Sequence, residues 1–169
     1  MIRAAVLTIS DSGYRGERED LSGPALRDRL RRLGWTVAVE EMLPDEAGVI
    51  SARLAQLADW GDVSLILTTG GTGVTIRDVT PEATRAVIEK EIPGLGELMR
   101  TRGLEDTPRA ALSRALAGTR GKALIVNLPG SPRGAICSLD AIVELVPHIL
   151  ELLGGNTRHE SNSQPGASG

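Results

Sequence analysis

The chain has 169 residues, a formal net charge of −3, 41% hydrophobic and 24% charged side chains, which suits one globular domain with a sizeable core. That charge balance gives no bulk attraction to nucleic acid or an anionic membrane, and aromatics at 2% argue against the stacking surfaces that bind single strands. No apolar run approaches the roughly 20 residues of a membrane span, and one cysteine, Cys137, excludes an internal disulfide and points to a reducing cytoplasm without a His/Cys zinc site.

Residues 2–9 are almost all apolar, as in a strand buried on both faces; the run lacks a cleavage-type ending and reads as a first strand rather than a signal peptide. Ser10-Asp-Ser-Gly13 ends it, and the charged residues 14–20 read as an exposed, mobile loop. Residues 22–33 carry apolar or small side chains at helical spacing, with Gly34 at the expected stop. A β-branched run over 36–43 predicts a second strand, followed by a turn at Pro44-Asp45-Glu46. The next helix has Val49, Ile50, Leu54, Leu57 and Ala58 on one stripe and stops near Gly61.

Residues 63–67 form the predicted third strand, which leads into Thr68-Thr-Gly-Gly-Thr-Gly73. Thr80-Pro81-Glu82 reads as a helix start, with Thr as N-cap and Pro at the first position, and that helix is expected to run to about Lys90. Residues 92–96 interrupt the pattern before a short helix over 97–102. Residues 108–121 are open: propensity allows a helix, while 113–119 could instead pair with the next run through a turn at Arg120-Gly121. A buried strand over 122–128, a tight loop at Pro129-Gly-Ser-Pro-Arg-Gly134 and a long helix over 135–153, kinked or broken at Pro147, complete the domain at about residue 155. Residues 156–169 are polar and read as a disordered tail.

Strands alternating with helices predict a parallel-rich α/β sandwich, in which ligands bind beyond the carboxyl ends of the strands. The residues expected there are Ser10 and Asp11, Pro44 and Asp45, residues 69–73, and residues 129–131. Four polar or glycine loops should therefore converge on one sheet edge.

The glycines of Gly70-Gly71-Thr72-Gly73 let backbone N–H groups approach an anion without side-chain obstruction. The stretch matches neither the P-loop nor the dinucleotide spacing, so a plain strand-to-helix turn is an equal reading of it alone. Asp45 and Asp78 stand in or just after two of these loops, where a carboxylate beside phosphate holds Mg2+ or simply caps a helix. Asp11 has a turn role as its alternative. Ser131 or Arg133 could bind a second anion, or the Pro129 loop could be only a turn. Ser113 and Arg114 carry no motif on their own and read as surface helix, and Cys137 as a small buried side chain.

Five segments in order carry more than any one of them: Thr68-Thr-Gly-Gly-Thr-Gly73, Arg77-Asp-Val-Thr-Pro-Glu-Ala-Thr84, Pro93-Gly-Leu-Gly-Glu-Leu-Met-Arg100, Leu112-Ser-Arg-Ala115 and Leu128-Pro-Gly-Ser-Pro132. Over residues 2–155 the chain resembles the molybdopterin-binding family of molybdenum cofactor biosynthesis, which includes bacterial molybdopterin adenylyltransferases and the G domains of gephyrin-like proteins. The resemblance implies a three-layer α/β/α sandwich with a mostly parallel mixed sheet, usually trimeric, and favours the hairpin for residues 113–128. It implies Mg2+-dependent adenylylation of molybdopterin by ATP, with release of pyrophosphate and handover of the product to a molybdenum-insertion protein.

By position, the resemblance makes Asp45 and Asp78 the catalytic and metal-holding aspartates. Ser10, Asp11, Gly70, Gly71, Thr72 and Gly73 become the nucleotide and phosphate site, and Ser113, Pro129, Gly130, Ser131 and Pro132 the pterin site. Ser131 departs from the Asn that many relatives carry there. Close paralogues that bind molybdopterin without turnover are the main alternative, and an unrelated nucleotide-binding domain sharing only the glycine turn is another.

Overall fold

The computed structural model describes residues 1–156. Six strands form one mixed sheet: β1 (Arg3–Ile9), β2 (Thr36–Leu43), β3 (Leu65–Thr69), β4 (Lys90–Glu91), β5 (Ala117–Arg120) and β6 (Ala123–Leu128), in the spatial order β2-β1-β3-β6-β5-β4. The four strands β2, β1, β3 and β6 run parallel, and β5 and β4 join antiparallel at one edge. The helices are α1 (Asp11–Tyr14), α2 (Ser22–Arg32), α3 (Ala47–Trp60), α4 (Thr80–Arg85), α5 (Pro93–Leu104), α6 (Pro132–Ile142) and α7 (Val146–Leu153).

The sheet is buried on both faces because its central strands carry apolar residues in consecutive runs, where one-sided sheets alternate. Ala4, Val6, Leu65, Leu67, Leu124 and Val126 point into one core with Leu26, Leu30 and Leu139 from α2 and α6. Ala5, Leu7, Ile66 and Ile125, one residue out of phase, point into a second core with Ile50, Leu54 and Leu57 of α3. The three-layer α/β/α expectation holds, and the core is aliphatic, as a chain without Phe requires.

The hairpin favoured for residues 113–128 is present: residues 117–120 are the antiparallel partner of β6, turning at Gly121 with φ +54°, and residues 108–112 before them form a 3-10 turn (Pro108–Leu112). Other local expectations are corrected. The helix at Thr80 ends at Arg85, because the chain must reach the edge strand β4. Thr80 is not the N-cap; Val79 holds that position, and the Thr80 hydroxyl donates instead to Gly70 O at 3.0 Å. Helix α5 begins at Pro93, where the missing N–H costs nothing. The long helix over 135–153 is two helices: α6 starts at Pro132, and Pro147 opens α7 rather than kinking a continuous rod. Residues 14–20 are mostly exposed, with Tyr14 closing the one-turn α1. The expected tail lies, beyond Asn156, outside the described residues.

Candidate active site

The parallel strands end in a row. Ile9 is paired with Leu43, Thr8 with Thr69, and Thr69 with Leu128. The four loops that follow therefore leave the same sheet edge, as expected. Ser10 N–H donates to Leu43 O at 2.9 Å, Gly70 N–H to Leu128 O at 3.0 Å, and the Thr69 hydroxyl to Pro129 O at 2.7 Å.

The turn after β3 is built by sterics as much as by hydrogen bonds. Gly70 has φ +103° and Gly71 φ +68°, conformations that side chains disfavour. A Cβ at Gly70 would stand 2.3 Å from the Ile9 carbonyl oxygen, so only glycine lets β3 turn against the end of β1. A Cβ at Gly71 would meet Thr80 Oγ1 at 2.2 Å and Asp45 Oδ1 at 3.2 Å, and one at Gly73 would meet Asp78 Oδ2 at 2.8 Å. The two aspartates thus flank the turn, Asp45 beside Gly71 and Asp78 beside Gly73.

Every carbonyl of the turn is engaged. Gly70 O accepts from the Thr80 hydroxyl, and Gly71 O from Thr80 N–H at 3.1 Å. Thr72 O accepts from Arg114 N–H at 2.9 Å, and Gly73 O from Arg114 Nε at 2.7 Å. By contrast, the N–H groups of Gly71, Thr72 and Gly73 have no acceptor among the described residues. Consecutive free N–H groups around positive-φ glycines make a concave anion receptor.

This turn forms one wall of a cavity of about 600 Å³. Gly71, Thr72, Gly73 and Asp78 meet Ser113, Pro129, Gly130 and Ser131 there, so most of the expected nucleotide and pterin residues share one space. Sequence reasoning did not anticipate the opposite wall, supplied by Met99, Arg100 and Gly103 of α5, by the 3-10 turn, and by Cys137 and Ser138 of α6. Burial pushes the Cys137 thiol above its ordinary value, which leaves it an uncharged wall residue. Ser10, Asp11, Asp45, Gly70 and Pro132 do not line this cavity. Pro132 is in the first turn of α6, and Ser131 is that helix's N-cap, its Oγ accepting from Gly134 N–H at 3.1 Å.

The ends of β1 and β2 are locked by a reciprocal pair: Asp11 N–H donates to Asp45 Oδ2 and Asp45 N–H to Asp11 Oδ1, both at 2.9 Å. Arg77 grips Asp11 in a two-point contact at 2.9 and 3.0 Å. The Arg77 guanidinium, helped by the Asp45 N–H, holds the Asp11 carboxyl below its ordinary value. Burial, with the Asp11 and Asp78 charges adding to it, pushes the Asp45 carboxyl up. Ser10 Oγ caps α1 by accepting from Gly13 N–H at 3.1 Å. Ser10 and Asp11 are therefore engaged with the protein, and Asp11 fixes Asp45.

A divalent cation fits the carboxylates that remain. Asp45 Oδ1 and Asp78 Oδ1 have no donor among the described residues, whereas each Oδ2 accepts from backbone N–H. No group of three or more His, Cys, Asp or Glu residues suited to a metal occurs among the described residues. One or two carboxylates with substrate phosphates and water completing the shell is how Mg2+ is held, while structural metals need a full protein cage.

A family model described as "Probable molybdopterin binding domain" matches residues 5–148. The chain belongs to this family. It is 42% identical over 157 residues to a molybdopterin adenylyltransferase of Helicobacter pylori, covering 92% of this chain and 89% of that protein. It is also 38% identical over 168 residues to the molybdopterin adenylyltransferase of Escherichia coli, covering 91% of this chain and 86% of that one. Among solved structures it is similar to the molybdopterin biosynthesis enzyme MoaB of Thermus thermophilus, with a TM-score of 0.86 and 52% identity, covering 92% and 98% of the two chains.

Proposed function

We propose that this chain works in molybdenum cofactor biosynthesis as a molybdopterin adenylyltransferase: the molybdopterin phosphate attacks the α-phosphorus of ATP, giving adenylyl-molybdopterin and pyrophosphate. The observation that carries the reading is the glycine turn, with three consecutive N–H groups lacking protein acceptors on the wall of a cavity large enough for a second substrate. The named relatives, similar over nearly their whole length, support it.

The reaction brings two phosphate anions together, and their repulsion is the barrier this site must offset. The N–H groups of residues 71–73 orient the ATP phosphates and stabilise charge that builds on the leaving pyrophosphate. Asp45 and Asp78, each with a free Oδ1, would hold Mg2+, which would supply positive charge against the phosphate repulsion. Asp11 and Ser10 act through Asp45 by fixing the end of β1. Ser113 and the loop of Pro129, Gly130, Ser131 and Pro132 orient the pterin on the far side of the turn. No nucleophile of the protein is needed, so transfer is direct.

Residues 1–155 carry the activity, in the cytoplasm, as a homotrimer that passes its product to a molybdenum-insertion protein. An apolar groove between α5 and α7, with Leu98 at 44% and Leu145 at 42% exposure, suits the subunit contact. Among the described residues no helix is long and apolar enough to cross a membrane.

The test is to incubate the protein with molybdopterin, ATP and Mg2+ and follow the AMP adduct by mass. Product in amounts exceeding the enzyme supports the reading. Binding of both substrates without product leaves a pterin-binding module in its place.

A further inference from the structure

We infer that Arg114 is a positioning residue for the nucleotide: its guanidinium clamps the carbonyl at the end of the turn to the backbone of Asp78, holding Asp78 beside the turn, and so controls ATP affinity without touching ATP. This rests on the adenylyl-transfer reading above. Arg114 reaches both ends of the loop between the turn and α4. Its backbone N–H donates to Thr72 O at 2.9 Å, its side-chain Nε to Gly73 O at 2.7 Å, and its Nη2 to Asp78 O at 2.8 Å. Its Nη1 pairs with Glu82 on α4.

The peptide unit is planar and trans, so its N–H points opposite its C=O. The Arg114 backbone N–H that fixes Thr72 O therefore fixes the direction of the Gly73 N–H, one of the free N–H groups of the anion receptor, and any residue but proline at this position supplies that bond. The bond to Gly73 O aims the Val74 N–H in the same way. The bond to Asp78 O ties the backbone of the metal-holding aspartate to the same guanidinium.

All three guanidinium nitrogens already donate to protein acceptors, which distinguishes Arg114 from a phosphate-binding arginine. The segment that carries it is braced from the other side. Arg100 Nη1 donates to Ala115 O at 2.8 Å and to Ser113 O at 3.3 Å. The fork geometry is essential, because a lysine ammonium at this position is a point charge and cannot hold carbonyls at the two ends of the loop together.

The test compares Arg114→Lys and Glu82→Gln with wild type, and with Arg120→Lys as a control. Arg120 also binds a carboxylate and a carbonyl, those of Asp59 and Val87, but lies outside the site, on β5. Steady-state transfer should show KM for ATP raised about tenfold or more in Arg114→Lys, with molybdopterin affinity within about twofold of wild type. Glu82→Gln, which removes the charge that anchors the guanidinium while leaving the arginine in place, should move ATP in the same direction by less, and carries the test alone if the lysine variant fails to fold. Arg120→Lys should move neither substrate. The inference is overturned if ATP affinity is unchanged in both site variants, if both substrates weaken together, or if the control gives the same shift. A wild type that makes no adduct overturns the proposed reaction, and ATP-Mg2+ titration calorimetry on the same variants then judges Arg114 independently. A wild type that binds no ATP overturns both.

Discussion

Two loops end neighbouring parallel strands and are built in opposite ways. The turn after β3 is held at every carbonyl, its Thr72 is buried, and its glycines are forced by the Ile9 carbonyl and by the side chains of Thr80, Asp45 and Asp78. The loop after β6 leaves Gly130 and Ser131 exposed, and its main tie to the turn is the bond from Thr69 to Pro129 O. On the proposed reading, the first is a preorganised phosphate receptor, and the second can yield to the larger and less regular pterin. Rigidity would then lie on the side where charge builds during transfer.

The largest expected effect separates the two by one methyl group. Gly70→Ala puts a Cβ 2.3 Å from Ile9 O at φ +103° and should cost about 3 kcal/mol or more in urea unfolding. Gly130→Ala meets only Gly70 Cα at 3.3 Å and should cost about 1 kcal/mol. Equal losses would end the distinction between a forced turn and a yielding loop.

Next is Asp78→Asn. Adenylyl transfer should fall by about a hundredfold or more, with a melting temperature near wild type, because the amide keeps an acceptor for Thr75 but loses the charge. Transfer at the wild-type rate would remove Asp78 from the chemistry.

Asp45→Asn should weaken activity while raising stability. The folded carboxyl titrates above its unfolded value, so its contribution is present at low pH and is lost as pH rises through the folded pKa. At neutral pH the charge is a burden that the amide relieves, by about 0.5–1 kcal/mol. The melting-temperature gain over wild type should grow as pH rises above the ordinary carboxylate range. A gain independent of pH would show that the buried charge is not its cause.

Much of this was legible in the chain. The β2 run is a strand at the expected bounds, and the four loops meet at one edge because apolar runs fix which strands are central. Thr68 and Thr69 extend β3 beyond the expected end, because their side chains are buried against neighbouring strands, which local polarity does not reveal. Residues 117–120 are strand only because β6 pairs with them, and helix propensity could not see that partner. Arg114 read as surface helix. Its role consists of contacts to Thr72, Gly73, Asp78 and Glu82, all more than thirty residues away, so no local pattern announces it. The far wall of the cavity was missed for the same reason.

A further small effect lies in the yielding loop. Ser131→Ala removes the N-cap of α6 and should cost about 1 kcal/mol, whereas Ser131→Asn keeps a capping oxygen and should be close to neutral. A cost well above that for alanine would mean the loop is more tightly built than its exposure indicates.

The central claim is that the glycine turn is the nucleotide half of the pocket and the Pro129 loop belongs to the other substrate. Amide NMR with ATP-Mg2+ added to the protein alone tests it most directly. The Gly71, Thr72 and Gly73 N–H resonances should shift first and most, as free donors taking up phosphate, while Gly130 and Ser131 stay nearly in place until molybdopterin is added. Saturation with ATP-Mg2+ that leaves the turn amides unmoved, or moves the Gly130 and Ser131 amides in their stead, would contradict it.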